Sequence, residues 1–263
     1  MRVMSQLLLV FFVIFTSLVF AQQPARLTDD QVKKLVDEAM KTSDKFRDAF
    51  KKVASVTTRT GVKVDVPQYM KDYDETFKKF KDAFDKNGVP SVDLVNLLRM
   101  TNELDGFMTR NPDAAGAGSE WQAHKFNMDR LAQAFHTQLG EDSAPPKRMS
   151  DDQVKGLMEG LKEGSKSLGK SVQDAMKKDK SFDKSTTDAT MQSLKSLQKS
   201  AETLSDLYND KKPFSVEMQG FIKQMDVIKS FLTDHPLSTA IQSQFEKLEG
   251  KSKQLTDEYG IAS

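Results

Sequence analysis

A ten-residue stretch occurs twice in this chain and constrains everything around it. Arg26-Leu27-Thr28-Asp29-Asp30-Gln31-Val32-Lys33-Lys34-Leu35 returns as Arg148-Met149-Ser150-Asp151-Asp152-Gln153-Val154-Lys155-Gly156-Leu157, 122 positions later. A self-match at one fixed offset is the signature of a repeated structural unit, which has to be recognised before any shorter motif is read. Each copy is also a helix start. Thr28 or Ser150 can act as N-cap, with Gln31 or Gln153 three residues on to close a capping box. Leu27 with Val32, and Met149 with Val154, can staple the entry, and the paired aspartates favour the positive end of a helix.

From these starts the apolar positions run at helical spacing in both copies. Val32, Leu35, Val36, Ala39, Phe46, Phe50 and Val53 correspond to Val154, Leu157, Met158, Leu161, Leu168, Val172 and Ala175. All fourteen are apolar, which predicts the buried face of a first helix. A turn-rich segment, Ser55 to Val66, follows; its alternating valines suggest a short extended piece rather than a sheet. Beyond it the offset becomes 124. A second helix reads Val66, Met70, Tyr73, Phe77, Phe80, Phe84 against Thr190, Leu194, Leu197, Ala201, Leu204, Tyr208, the three-four alternation of a bundle seam.

A third helix starts near Ser91, with Leu94, Leu97, Leu98, Thr101, Leu104, Phe107 and Met108 matching Met218, Phe221, Ile222, Met225, Ile228, Phe231 and Leu232. Both versions stop at a proline, Pro112 and Pro236. A fourth carries Trp121, His124, Met128, Leu131 and Phe135 against Phe245, Leu248, Ser252, Leu255 and Tyr259. Gly140 to Lys147, with two prolines, reads as a linker. Four helices joined by short loops, twice over, predict two tandem antiparallel four-helix bundles in an all-α chain. One fused bundle with a shared core is the alternative.

The first 21 residues have the layout of a secretory signal: Arg2, a 14-residue apolar run from Leu7 to Phe20, and Val19-Phe20-Ala21 before a cleavage point. The run is shorter than the roughly 20 residues of a membrane span, although an uncleaved anchor is the alternative. A lipid anchor on cysteine is excluded, because the chain has none. No disulfide is available either, so stability must come from packing. Arg2 is the only charged residue in the signal, so the mature chain is formally neutral. It lacks the basic excess of a nucleic-acid binder.

Several motifs need weighing. Gly164 to Ser171 fits the phosphate-loop pattern G-x-x-x-x-G-K-[ST] at every position. That pattern works after a β-strand, whereas here it falls inside a helix, and its counterpart Thr42 to Ala49 lacks both glycines. Gly156, Gly160 and Gly164 recur every four residues off the main apolar face. They predict a locally weak helix, with close approach of another helix, such as a contact between bundles, as the alternative. His124 is the polar residue on a core stripe whose partner is a leucine. With Trp121 and Met128 at helical spacing it forms a candidate ligand site for haem or a metal, while the ordinary reading is a hydrogen-bonded core histidine. His136 should face solvent and His235 a turn. The Glu-x-x-His pairs of a di-iron bundle are missing, as are a nucleophile elbow and a zinc-protease motif. Lysine and acid interleave on the remaining faces, as in Lys78-Lys79-Phe80-Lys81-Asp82, which reads as a solvated helix surface.

Leu27-Thr28-Asp29-Asp30-Gln31-Val32, Asp44-Lys45-Phe46-Arg47, Tyr73-Asp74-Glu75-Thr76-Phe77, Asp105 to Asn111, and Glu120-Trp121 with Leu131 to Phe135 together resemble a family of uncharacterised exported bacterial proteins. The resemblance covers most of the first copy. The second departs from it at Phe245, at Asp234-His235 and at the glycines of its first helix. It implies export and a helical repeat, and no activity.

The sequence therefore predicts a signal peptide over 1–21, a first four-helix repeat over 26–139, a linker over 140–147 and a second repeat over 148–260. The function expected is a non-enzymatic exported scaffold or interaction module, periplasmic or secreted, with no cofactor. Its expected partner is another envelope or extracellular protein, with no nucleic acid and no membrane span after signal cleavage. The alternative is a carrier holding haem or an apolar ligand near Trp121, His124 and Met128.

Overall fold

A computed structural model describes residues 26–51, 55–57, 63–111, 116–140, 143–179 and 181–261. The signal segment and Val53 lie outside the described residues. The chain is all-α. Eight helices are described: α1 (Asp29–Phe50), α2 (Val66–Asn87), α3 (Val92–Arg110), α4 (Gly118–Ala134), α5 (Asp151–Lys178), α6 (Lys184–Asn209), α7 (Ser215–Asp234) and α8 (Thr239–Tyr259).

Local chemistry sets the helix ends. Both capping boxes form: Thr28 accepts from the Gln31 amide and Ser150 from the Gln153 amide, and each glutamine side chain accepts from the cap residue's own N–H. Asp65, Asp183 and Ser238 cap α2, α6 and α8 more simply, each side chain accepting from the amide three residues on. Gly88 and Gly260 end α2 and α8 in the left-handed conformation that glycine adopts without strain. Ser91 precedes α3 but makes no side-chain cap; its buried hydroxyl has no partner.

The expected lack of any sheet needs correcting. Between α1 and α2, β1 (Ser55–Thr57) pairs antiparallel with β2 (Lys63–Asp65), Val56 facing Val64 in the register. Three residues a side suffice because the ribbon is tied to the start of α2 directly, Asp65 serving as both last strand residue and helix cap.

Apolar side chains collect in two separate clusters, one drawn from residues between Val32 and Phe135 and one from residues between Val154 and Ile261. Within the first, α1 packs on α2 and α4, and α3 on α2 and α4. Within the second, α5 packs on α6 and α8, and α7 on α6 and α8. The described positions of the α1 and α2 stripes are all buried, and burying each large apolar side chain contributes about 1.5–3 kcal/mol. The α5 stripe is turned slightly from expectation: Leu157 and Ala175 are only half-buried, whereas Ser165 and Met176 are buried. Among the described residues, no helix is long and apolar enough to cross a membrane.

Gly164 to Ser171 lies in the middle of α5. Its backbone N–H groups are spent within the helix, so no phosphate cradle exists there. The glycine stripe on this helix does more than weaken it. A Cβ on Gly164 would stand 2.9 Å from the Leu248 side chain, and one on Gly160 would meet the Lys251 side chain. Close approach of α8, within the same cluster, is what Gly164 permits, whereas the neighbour of Gly160 is the flexible end of a lysine. Gly156 faces open space and contributes only helix weakness.

Candidate functional site: a buried polar relay and a reciprocal junction

The three residues singled out on α4 are all buried: Trp121, His124 and Met128 are at most 1 % exposed. They line no opening. His124 is wedged among Phe46, Tyr73, Phe77 and Trp121 rings. Both of its ring nitrogens are engaged, Nε2 with the Tyr73 hydroxyl at 2.7 Å and Nδ1 with the Thr42 hydroxyl at 3.2 Å. A groove of about 350 Å³ lies elsewhere, between the end of α1 and the start of α2, over Phe50, Val66 and Met70. A ligand at His124 would have to break a hydrogen bond and displace packed side chains.

The contacts extend beyond His124 into a four-residue relay. Tyr73 also meets Thr101 at 2.8 Å, and Thr101 lies 2.8 Å from the Leu97 carbonyl. With the proton on Nδ1, His124 donates to Thr42, which donates to the Ala39 carbonyl 2.9 Å away. Tyr73 then donates to Nε2 and accepts from Thr101. With the proton on Nε2, the bonds among the four side chains reverse: Thr42 turns its proton from the Ala39 carbonyl to Nδ1, and Thr101 donates to the Leu97 carbonyl. Either tautomer leaves all four side chains satisfied, the condition under which a buried polar network is stable. Burial pushes the imidazole down to about 4 and is only partly opposed by the Ala39 carbonyl, and burial likewise raises the Tyr73 phenol. Both groups are therefore neutral near neutral pH.

Beside the relay, Trp121 Nε1 donates to Asp105 Oδ1 at 3.1 Å, and Lys125 Nζ sits 2.6 Å from the other oxygen. On the α1–α2 side, Ser43 donates to Asp74, which also pairs with Arg47. The first cluster thus holds a polar seam between its helices.

The repeated stretch forms a second constellation, where the N-termini of α1 and α5 meet. The Asp29 amide donates to Asp151 Oδ2 at 2.9 Å, and the Asp151 amide donates to Asp29 Oδ2 at 3.0 Å. Arg26 reaches across to Asp151 (2.6 Å), to Glu258 (2.7 Å) and to the Met149 carbonyl. Arg148 reaches the opposite way, to Asp29 (2.5 Å) and to the carbonyls of Leu27 (3.0 Å) and Gly88 (2.6 Å). Their guanidinium groups also lie 6.0 Å from the Tyr259 ring and 5.5 Å from the Phe84 ring, respectively. Residue i contacts residue j and j's counterpart contacts i's, the reciprocity of a self-complementary interface.

The junction is densely packed. Both arginine side chains are at most 4 % exposed. A Cβ on Gly88 would come within 2.8 Å of Asp29 and 2.9 Å of Ser150, so this position needs glycine for space as well as for its φ of +68°. Burial tends to raise the Asp151 carboxyl, but Arg26 and the Asp29 amide hold it below its ordinary range. Burial and the neighbouring Arg26 lower the Arg148 guanidinium, against the pull of Asp29. Glu258 completes the set by accepting the Met149 amide at 3.1 Å.

Sequence reasoning placed Asp29 and Asp151 at helix starts but gave Arg26, Arg148 and Glu258 no role. The identity of the repeat was the available signal: Arg26 and Arg148 are as well matched as the capping residues beside them. Tyr73 and Thr101 were seam positions only. Thr101, a hydroxyl on an apolar seam matched by Met225, carried the same signal as His124 matched by Leu248. His136 and His235 are both exposed; His235 stacks on Phe231 at 4.9 Å. No protein-family model, no curated protein and no solved structure matches this chain.

Proposed function

We propose that the chain is an exported, non-enzymatic scaffold: two four-helix bundles, 26–139 and 148–260, descended from an internal duplication and locked together at the ends of their first helices. Its partner is another envelope or extracellular protein, engaged by surfaces that the junction holds at a fixed spacing. The observation that carries the reading is the reciprocal junction. Two clusters with their own cores need no such contact to fold, yet both buried arginines and three carboxylates are committed to joining them. Buried ion pairs contribute little net stability, because desolvation offsets attraction. Their stronger effect is to fix one geometry, since any other arrangement leaves charges buried and unpaired. Duplication is supported by the equal helix adjacencies and by the paired capping boxes.

Spin labels on exposed positions of α3 and α7, one on each bundle, test the rigid arrangement. A single narrow distance distribution is expected near neutral pH. A broad or two-peaked distribution in the native chain would overturn the fixed-spacing role. Export predicts a mature N-terminus at Gln22, read by mass spectrometry of protein recovered from outside the cytoplasm.

A further inference from the structure

Two homologous bundles in one chain face a physical problem. Their helices have the same order and corresponding apolar stripes, so α8 could be taken up by the first bundle in place of α4, and α4 by the second. The positions where the halves differ answer this. We propose that these differences form a matching code that keeps each helix with its own bundle. The inference rests on the equivalence of the halves proposed above and is independent of the scaffold role.

The code has a charged part and a core part. Asp105 on α3 pairs with Lys125 on α4 at 2.6 Å. The equivalent positions on α7 and α8 are Lys229 and Glu249, paired at 2.7 Å with the signs reversed. Exchange of α4 and α8 would set Asp105 against Glu249 and Lys229 against Lys125. Both native attractions would become repulsions, the device by which paired helices reject wrong partners. The neighbouring difference follows the charge. Trp121 needs an acceptor for its N–H and has Asp105, whereas its counterpart Phe245 faces a lysine-bearing position and has no N–H to satisfy.

In the core, Thr42, Tyr73, Thr101 and His124 are replaced together by Gly164, Leu197, Met225 and Leu248. The replacements fit one another: Leu248 occupies the space above Gly164, as His124 lies against Thr42. Pairing α1 with α8 would press Leu248 on Thr42 and strip Tyr73 of its imidazole partner. Pairing α5 with α4 would bury His124 over a glycine with neither nitrogen satisfied, and an unsatisfied buried group is costly. Gly160 and Lys251 add a third matched pair, the lysine stem lying over the glycine, where the first half has Glu38 and Asn127, the latter donating to the Thr42 hydroxyl at 3.4 Å.

The chain has no cysteine, so pairing can be read by thiol cross-linking. One cysteine is placed on α3 at Asn102 and one on α8 at Lys253, in the full chain. It is unfolded, refolded and treated with a bismaleimide, and compared with never-unfolded protein. With native code residues, refolding is expected to add no α3–α8 cross-link, within or between chains. Trp121→Phe/Asp105→Lys/Lys125→Glu gives both halves the same signs, and a rise of about fivefold or more is expected, since one kcal/mol already shifts a ratio fivefold. Adding Phe245→Trp/Lys229→Asp/Glu249→Lys exchanges the code between halves and should return the cross-link to the native level. No rise in the first variant, or a rise that persists in the second, would overturn the charged code.

The core part is read by melting, also in the full chain. Leu248→His alone should lower the transition of the second bundle by about 8 °C. The matched set Leu248→His/Gly164→Thr/Leu197→Tyr/Met225→Thr should recover more than half of that loss. A set no better than the single change would overturn it. The spin-label spacing tests the scaffold role separately, because neither set of substitutions touches the junction.

Discussion

The two apolar clusters are each drawn from four helices and differ in what fills them. The first is built on aromatic rings, with Phe46, Phe50, Tyr73, Phe77, Phe80, Phe84, Trp121 and Phe135 all buried, and it threads a hydroxyl–imidazole relay through them. The second is mainly aliphatic at the same positions and brings α8 down onto glycines instead. Large rings leave angular gaps that a polar relay can occupy when every member is bonded, and the relay then fixes one arrangement of four helices at once. Aliphatic side chains close the same space by approach. One plan therefore tolerates two solutions, provided all the positions in a solution change together.

The junction, where both copies keep the same arginine and aspartate, should show the largest effect. Arg148→Ala removes a guanidinium that is fully buried and leaves Asp29 and the Gly88 carbonyl without their partner. A loss of about 4 kcal/mol is expected, the magnitude for breaking one side of a buried ion pair. Denaturant unfolding would show it, and a cost under about 1 kcal/mol would mean the junction is not closed as described.

Next comes the relay. His124→Leu imports the second half's residue alone and takes one partner from each of the Tyr73 and Thr42 hydroxyls, which keep Thr101 and the Ala39 carbonyl, at a cost of about 2 kcal/mol. In a Tyr73→Leu background the same change should cost markedly less, because the bond between the two side chains is already gone. Additivity of the two changes in a double-mutant cycle would sink the relay as a unit.

Acid separates the halves without any mutation. The folded protein holds the His124 imidazole at about 4, below the ordinary value near 6.5. The unfolded chain therefore takes up this proton first as the pH falls. The associated stability is complete above about 6.5 and is lost progressively down to about 4, by about 2 kcal/mol on reaching pH 5. The loss should fall on the first cluster and vanish in His124→Leu. Asp151, held low by Arg26 and the Asp29 amide, contributes stability lost only below the ordinary carboxylate range. Urea midpoints at pH 7 and 5 for both proteins test this, and equal slopes would remove His124 as the titrating group.

How much of this was legible in the sequence depends on the length scale of the interaction. Caps and stripes are local, so Thr28, Gln31 and the Val66-to-Phe84 seam could be read directly. The relay joins α1, α2, α3 and α4, and only His124 stood out, because histidine is rare on an apolar stripe while tyrosine and threonine are tolerated there. The junction was invisible for a different reason. Arginine and aspartate at a helix start have a sufficient local role, and nothing in the spacing says that Arg26 crosses to Asp151 rather than staying with Asp29. The ribbon at Ser55 was missed because three-residue strands carry too short an alternation to be distinguished from a loop.

The smallest effect gives the finest comparison, because it rests on one hydroxyl in two settings. Ser43 and Ser165 are equivalent and both buried. Ser43 donates to Asp74 at 3.3 Å. The residue equivalent to Asp74 is Gln198, which donates instead to Glu202 along its own helix, and Ser165 is left with no partner. A buried hydroxyl without a bond loses its hydration and gains nothing in return. Replacing it with alanine removes that cost at almost constant shape, whereas the same change at Ser43 removes a bond to a charged group. Ser165→Ala should therefore stabilise the protein by about 1 kcal/mol and Ser43→Ala destabilise it by about 1 kcal/mol. Opposite shifts in denaturation midpoint are the expected outcome. Shifts of the same sign would mean that the second cluster supplies Ser165 with a partner after all, and that the two cores differ less than their side chains suggest.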